Sequence, residues 1–359
     1  MSIKQENISP IPQLKSKVDL TIFPNFSLPR YTDSWSDCRK VASEMYSNYS
    51  VPDDMYFNPD VIIDDYAKVP NNIIQPDKID TIDELYEVFN SKKDAYITFN
   101  SNETITEQFQ INDGQTITLD LNNSTITGEG NIGSNGRLFQ VNNGKLIINN
   151  GKIISPIESY GAFRIESNGE LELNNTTIEN SKGWGLNIKV LGGIATLNNI
   201  TVNSTTGGGI EVTEADLGTH SKAGYAVINN CNFNQKSYQD HCSTCLSVSG
   251  GSTLIVNGGS YISENWALYI FSSGGFITVN NGTFIGNRNG ECLRAEIDTN
   301  TYKDYNGGFK INNGNFTGNA YIKSPAYLNI NKGKFTFDPT NYTTKSVVYN
   351  DKTKIYLVS

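Results

Sequence analysis

The sequence predicts an all-β protein built as a solenoid, in which short strands wind around a common interior in stacked coils. The first observation is a repeated turn, in which an aliphatic residue is followed by asparagine and then by Asn, Gly or Lys. The first asparagine of successive copies is Asn122, Asn149, Asn174, Asn198, Asn229, Asn257, Asn280, Asn312 and Asn331. These positions are 19 to 32 residues apart, and a loose period in the twenties is typical of repeat architectures.

Alternation of apolar and polar residues is the second observation, and it predicts three short strands in each coil. The unit that starts at Ala267 has predicted strands over 267–270, 275–279 and 283–285, with Asn280-Asn281-Gly282 before the last of them. Apolar residues at every second position are typical of half-buried strands. Asn and Gly adopt the left-handed backbone region at low cost and therefore suit the turn. Antiparallel hairpins are the alternative interpretation, but a solenoid explains the repeat better.

A small residue before an apolar–x–apolar triplet is the third observation. The copies are Ala162-Phe163-Arg164-Ile165, Gly185-Leu186-Asn187-Ile188, Gly209-Ile210-Glu211-Val212, Cys245-Leu246-Ser247-Val248, Ala267-Leu268-Tyr269-Ile270 and Cys292-Leu293-Arg294-Ala295. We expect the small residues to stack at a tight corner and each apolar pair to point inward, so that the residue between them faces outward. About nine coils are expected, which at strand spacing form a rod of roughly 40 Å. Each coil depends on its neighbours for burial.

This coil pattern, which covers about Ile97 to Phe337, resembles the right-handed parallel β-helix of the pectate-lyase-like family. The family includes polysaccharide lyases and hydrolases, bacterial adhesins, and the tail spikes and fibres of bacteriophages. The resemblance therefore implies an architecture and leaves the activity open. Right-handedness is expected from the resemblance and from the usual crossover of parallel strands.

The sequence divides into four segments. We predict an N-terminal attachment and oligomerisation arm over 1–75, a capping helix within 76–95, the β-helix over 96–337 and a C-terminal β cap over 338–359. Thr81 is suited to cap the helix, because Glu84 follows three residues later in a capping-box pattern. The cap at the other end is predicted to be a hairpin of strands 345–349 and 354–358.

The arm over 1–75 is rich in proline and in aromatic residues, with one helix predicted over 37–46. Disordered tails usually lack so many large apolar groups, so we expect the arm to become ordered on other chains. The expected partners are sister subunits of a homotrimer and the capsid or tail proteins of a virion. The residues assigned to attachment are Phe23, Phe26, Tyr31 and Trp35. A small irregular domain packed on its own solenoid is the alternative.

Charge and composition limit the partners. The formal net charge is -9, which argues against nucleic acid or an anionic membrane as the main partner. Neutral glycans and a protein shell remain compatible with this charge. The first 19 residues lack the apolar run of a signal peptide, so we expect assembly in a host cytoplasm and a location on the virion. We expect no cofactor.

The five cysteines are predicted to be free thiols. They are Cys38, Cys231, Cys242, Cys245 and Cys292. Their odd number, together with assembly in a cytoplasm, disfavours a disulfide framework. The Cys-x-x-Cys spacing from 242 to 245 is compatible with zinc, but no second pair lies nearby. No metal site is therefore expected.

Two insertions contain the candidate catalytic carboxylates. They span 214–222 and 298–305, and both follow a strand that starts at a small-residue corner. We therefore expect them on one edge, about 15 Å apart by strand spacing. Glycoside cleavage requires two carboxylates about 5 to 10 Å apart. The weak candidates are Glu211, Asp216, Asp298 and Asp304; a solvated charge ladder is the favoured alternative.

Aromatic and cationic residues on the same side are candidates for contact with a glycan or with another subunit. Trp184 and Trp266 each precede a small-residue corner, where an exposed ring would stack on a sugar or pack on a trimer mate. Tyr269, Arg294, Tyr302 and Tyr305 complete this set.

These observations favour a structural bacteriophage appendage, a head fibre or tail spike that projects from the particle and binds host-surface or environmental glycans. One alternative is a tail-spike polysaccharide depolymerase, a hydrolase or lyase. The other is a bacterial surface adhesin. Whether the protein is an enzyme is left open, with a non-enzyme favoured.

Overall fold

The computed structural model describes residues 77–130, 132, 136–155, 161–180, 186–204, 207–236 and 244–359. These residues belong to one compact unit, over Ile73–Ser359. The arm over 1–75, its predicted helix and its attachment residues Phe23, Phe26, Tyr31 and Trp35 lie outside the described residues.

The described residues form a parallel β-solenoid of about eight turns, which confirms the predicted fold class with approximately the predicted number of coils. They include one α-helix, α1, at Ile82–Asn90 and short 3-10 helices at Arg288–Gly290 and Thr340–Tyr342. The strands are β1 Asp77–Ile79, β2 Ala95–Phe99, β3 Glu103–Ile105, β4 Phe109–Ile111, β5 Gln115–Asp120, β6 Thr125–Gly128, β7 Arg137–Ser155, β8 Gly161–Asn180, β9 Ile188–Leu191, β10 Ile194–Asn198, β11 Thr201–Ser204, β12 Ile210–Thr213, β13 Tyr225–Gln235, β14 Leu246–Val248, β15 Thr253–Ser263, β16 Leu268–Ile270, β17 Gly275–Gly286, β18 Glu291–Glu296, β19 Gly307–Ile311, β20 Asn315–Thr317, β21 Asn319–Lys323, β22 Tyr327–Ile330, β23 Gly333–Phe335, β24 Val347–Asn350 and β25 Ile355–Val358.

One face of the solenoid is a stack of short parallel strands that includes β9, β12, β14, β16, β18 and β21. In β16, Leu268 and Ile270 point into the core, as predicted. We call the residues between the inward pairs the outer column. Its members are Gln110, Gln140, Arg164, Lys189, Glu211, Ser247, Tyr269, Arg294 and Tyr321. The corner residues Cys245, Ala267 and Cys292 are fully buried, as their small size predicts.

The predicted register is wrong in one coil. Ile188 pairs with Phe163 and Ile210, so the inward pair of β9 is Ile188 and Val190. Asn187, which was expected to face outward, is fully buried, and its Nδ2 donates to the carbonyl of Gly208 at 3.0 Å. The two-residue error arose because Leu186-Asn187-Ile188 has the same apolar–x–apolar form as the true triplet.

Eight of the nine repeated asparagines form a continuous side-chain ladder. Asn122 does not belong to it, because Asp120 pairs with Asn149 in that coil and Asn122 donates to Asn100 Oδ1 instead. In the described coils, Asn149, Asn174, Asn198, Asn229, Asn257, Asn280, Asn312 and Asn331 are linked by seven hydrogen bonds of 2.6–2.8 Å. Each Nδ2 donates to Oδ1 of the asparagine one coil earlier. A side-chain amide can donate and accept, so every interior member donates to one neighbour and accepts from the other. The residue that follows often has positive φ, for example 54° at Asn150 and 50° at Asn175.

The interior is closed at both ends, as the sequence predicts. Thr81 caps α1 in a capping box with Glu84, and the helix packs its apolar face on the first coils. The Phe89 ring lies 4.5 Å from that of Phe109, at one end of an aromatic stack that continues through Phe139 to Phe163. At the other end, β24 and β25 form an antiparallel hairpin, and β25 also pairs with β23.

The three cysteines that the structure describes are free and buried. Burial raises the pKa of the Cys231 thiol to about 11 and the pKa values of Cys245 and Cys292 still further. These thiols therefore fill small spaces in the core and stay protonated near neutral pH. Cys38 and Cys242 lie outside the described residues. In the part of the chain that the structure describes, no helix has the length and apolar character needed to cross a bilayer.

The register of β19 gives a matched test of the fold. Ile311 is fully buried, whereas its neighbour Lys310 is exposed. Ile311→Asp places an unpaired charge in the core, and we expect a loss of about 3–5 kcal/mol of unfolding free energy. Lys310→Asp should change it by less than about 0.5 kcal/mol. Urea unfolding followed by circular dichroism measures both, and equal losses would contradict the inward and outward assignment.

Candidate functional site

Charged residues of the outer column pair with one another. Lys189 Nζ lies 3.2 Å from Glu211 Oε2 in the adjacent strand, and Arg164 pairs with Glu166 on its own strand. Glu211 also accepts a hydrogen bond from Ser249 Oγ at 3.5 Å. The carboxylate of Glu211 is therefore held by neighbouring side chains, as the charge-ladder interpretation expects.

Trp266 is not the exposed aromatic that the sequence analysis expected. It is 2% exposed, and its Nε1 donates to Glu291 Oε2 at 2.9 Å. The guanidinium groups of Arg288 and Arg294 lie 4.5 and 4.8 Å from its ring centre. These contacts explain why the Trp266 ring is buried, because cations over the face of a tryptophan ring are favourable and two guanidinium groups lie there. Trp184 lies outside the described residues.

Tyr269 faces outward in register but is buried, at 3% exposure. Its ring lies 4.6 Å from the Trp266 ring and 4.2 Å from that of Phe271. Arg294, from the adjacent strand, forms ion pairs with Glu291 and Glu296 at 2.6 and 2.7 Å. The outer face of these coils is therefore a packed aromatic and guanidinium cluster, and an acidic substitution at Tyr269 is not expected to be harmless.

The two insertions lie on one edge, as predicted, and they touch. The hydroxyl of Tyr305 donates to Glu214 Oε1 at 2.6 Å and accepts from the backbone N–H of His220 at 3.0 Å. The His220 and Tyr305 rings are stacked, with centres 4.2 Å apart and planes 13° apart. This is much closer than the predicted 15 Å. The intervening coils have tight turns at Gly250 and Gly274, both with positive φ, so the insertions meet across them.

Glu214 is the buried acid of this edge. The residue is fully buried, and its Oε1 accepts from Tyr305 and from the N–H of Gly218 at 2.6 Å. Its Oε2 has no hydrogen-bond partner among the described residues. Burial, and the hydrogen bond to Glu214, raise the pKa of Tyr305.

Glu214 was not singled out from the sequence, although it begins the first insertion. The alternation of inward and outward residues in β12 nevertheless indicated that Glu214 is buried. Glu214 continues the alternation of the inward residues Ile210 and Val212 at the end of β12. An acid in that position is expected to be buried.

The remaining candidate carboxylates have different surroundings. Asp298 accepts from Thr301 Oγ1 at 2.7 Å and from the N–H of Asn300 at 3.0 Å. These hydrogen bonds, and the one from Thr301 most of all, lower the pKa of Asp298. The Asp298 carboxylate thereby shapes the turn of its own insertion. Asp216 and Asp304 are exposed, and Asp304 lies on the wall of a cavity shared with Glu214.

This cavity has a volume of about 210 Å³. Its lining residues are Glu214, His220, Ser221, Ala223, Gly250, Gly251, Asp304, Tyr305 and Asn306. Of the predicted site residues, it brings together Asp304 and Tyr305 and leaves out Glu211, Asp216 and Asp298. A second cavity, of about 240 Å³, lies beside α1 and includes Tyr86, Phe89 and Gln115 in its walls. Across the described ranges, no three His, Cys, Asp or Glu side chains form a cluster suited to a metal ion.

The contact between the insertions gives a second test. Tyr305→Phe removes one donor to Glu214 Oε1 and the acceptor of the His220 N–H, so we expect a loss of about 1–3 kcal/mol. Tyr302→Phe is the control, because the Tyr302 ring packs edge-on against Tyr305 and its hydroxyl bonds to none of the described residues. Thermal unfolding of both variants measures the difference. Equal shifts would contradict a structural role for the Tyr305 hydroxyl.

Comparison with known proteins leaves the family open: no protein-family model, no curated protein and no solved structure matches this chain. The parallel β-solenoid is thus established by the pairing of its own coils. The resemblance to the pectate-lyase-like family stays a prediction.

Proposed function

We propose that this protein is a structural appendage of a bacteriophage particle, a head fibre or tail spike, whose solenoid projects outward and binds glycans. The observation that carries the proposal is the continuous stack of coils with its asparagine ladder. Such a stack is rigid over about eight turns, roughly 40 Å at strand spacing. Rigidity over this length is required of an element that holds a binding surface away from a particle.

The outer surface supports contact more than catalysis. Lys189 neutralises Glu211, and Asp298 is bound to the turn around Thr301. Neither carboxylate has a second acid beside it among its described hydrogen-bond and ion-pair partners. Glycoside cleavage depends on a facing pair of carboxylates. The cavity on the edge with the two insertions does hold two acids, Glu214 and Asp304. We assign this edge to binding, and release of reducing ends from a polysaccharide is the result that would assign it to cleavage.

The segment over 1–75 is proposed to attach the appendage and to assemble three copies of it. Its composition supports this role, since prolines and large aromatic residues occur together in a segment without the coil repeat. A segment of this kind gains stability by burying its aromatic rings on a partner as it becomes ordered.

Deletion of residues 1–75 tests the proposal in particles. We expect the truncated chain to keep its β-rich circular dichroism, because α1 still covers the first coil, and to be absent from purified virions by mass spectrometry. The matched control is deletion of residues 1–19, which keeps all the aromatic residues from Phe23 onward. This variant should be incorporated into virions at a higher copy number than the variant that lacks residues 1–75.

Three outcomes would contradict the proposal. Truncated protein that copurifies with virions at full copy number would show that the solenoid carries the attachment. Release of reducing ends from host capsule by the purified chain would establish a depolymerase instead. Absence of the full-length chain from all particles would favour the adhesin alternative.

A further inference from the structure

We propose that the cavity between the two insertions binds one saccharide unit, with a sugar hydroxyl donating to Glu214 Oε2. This inference rests on the proposed glycan contact and names its site. Glu214 Oε1 joins the two insertions, whereas Oε2 has no partner among the described residues.

The unpartnered oxygen is the first argument. Glu214 is fully buried, and Oε1 already accepts two hydrogen bonds, whereas Oε2 accepts none from the described residues. A buried acceptor without a donor is costly, and a partner that supplies an O–H removes that cost. Since Glu214 belongs to the wall of the cavity, a molecule in the cavity is the natural source of the missing donor.

The chemistry of the walls is the second argument. Asp304 offers a carboxylate and Asn306 an amide, so donors and acceptors line the space, whereas the Ser221 hydroxyl is bonded to the backbone of Asp216. Sugar hydroxyls are donors and acceptors at once and suit such a mixture. The volume of about 210 Å³ lies below the usual range for drug-sized ligands of roughly 300–1,000 Å³. The space therefore suits one small ring better than an extended chain.

The access route to the cavity is the third argument. A methyl group on Gly250 would lie 2.6 Å from Glu214 Cγ, so the glycine backbone covers the acid directly. The adjacent Gly251 also has positive φ and faces open space. The stacked His220 and Tyr305 rings form part of the wall. A ligand beside Gly251 therefore meets one or both of these rings, and Gly250, which lies over the buried Glu214 side chain, must move aside for the ligand to reach Oε2.

The test follows His220, because the chain contains two histidines, His220 and His241. The full-length protein, labelled with ¹³C-histidine, is titrated with glucose, galactose, mannose, rhamnose, N-acetylglucosamine and glucuronate. We expect at least one sugar to shift the His220 ring signals to saturation. Methylammonium and calcium chloride are titrated separately, since a carboxylate that lacks a partner also attracts cations.

Two substitutions locate the contact. Glu214→Gln keeps the shape of the side chain and weakens the acceptor, and we expect it to lower sugar affinity by about tenfold. Glu211→Gln, on the outer column and outside the cavity walls, should leave affinity unchanged. Should Glu214→Gln fail to fold, Asn306→Ala removes a wall amide at an exposed position and should weaken the same titration.

Three results would overturn the proposal: no sugar shifts His220, only methylammonium or calcium does, or sugar affinity is the same in Glu214→Gln and the unsubstituted chain. These results are independent of particle incorporation. A chain that binds sugar but never enters virions would refute the proposed appendage and leave the saccharide site intact. The converse result would remove the site and leave the appendage.

Discussion

The amide ladder from Asn149 to Asn331 is the interaction on which the rest of the structure depends. Each Nδ2 must meet the Oδ1 of the coil before it, and the seven bonds of 2.6–2.8 Å leave little room for slippage. A strand shifted by one residue would break its rung and turn its apolar residues outward. The ladder and the parallel pairing therefore specify the same register.

This register has consequences far from the ladder. Because the coils are aligned, residues that follow β12 and β18 leave the solenoid on the same edge. Glu214 and Tyr305, 91 positions apart, become hydrogen-bonded neighbours. A long separation in sequence is thus converted into a short distance by stacking. The cavity beside Glu214 is a product of the fold and of two insertions, not of any local motif.

Much of the fold could be predicted from the sequence, because it depends on short-range patterns. The Asn turns, the strand alternation around Leu268 and Ile270, and the capping box at Thr81 all follow from neighbouring residues. The register of β9 could not be fixed, since Leu186 and Ile188 offered an equally apolar alternative to Ile188 and Val190. Local patterns do not decide between such alternatives; the pairing with Phe163 and Ile210 does.

The candidate site was less predictable than the fold. The sequence predicted correctly that both insertions lie on one edge. It also predicted exposed rings at Trp266 and Tyr269, and both side chains are buried. Their cover comes from Arg288, Arg294 and Phe271, and a side chain that lies over another is not visible in the alternation of a strand. Glu214 is different, because the alternation after Ile210 and Val212 already predicts an inward side chain. Only its hydrogen bond to Tyr305 depends on an insertion that starts about 80 residues later in the chain.

A nuclear Overhauser effect between the rings of His220 and Tyr305 tests the alignment of the coils most directly. Ring centres 4.2 Å apart should give a strong cross-peak in protein labelled at histidine and tyrosine. The Tyr302–Tyr305 contact, at 5.7 Å within one insertion, is an internal control. Coils stacked in the register described above give both cross-peaks. The Tyr302–Tyr305 cross-peak without any between His220 and Tyr305 would contradict the aligned coils and the site that depends on them.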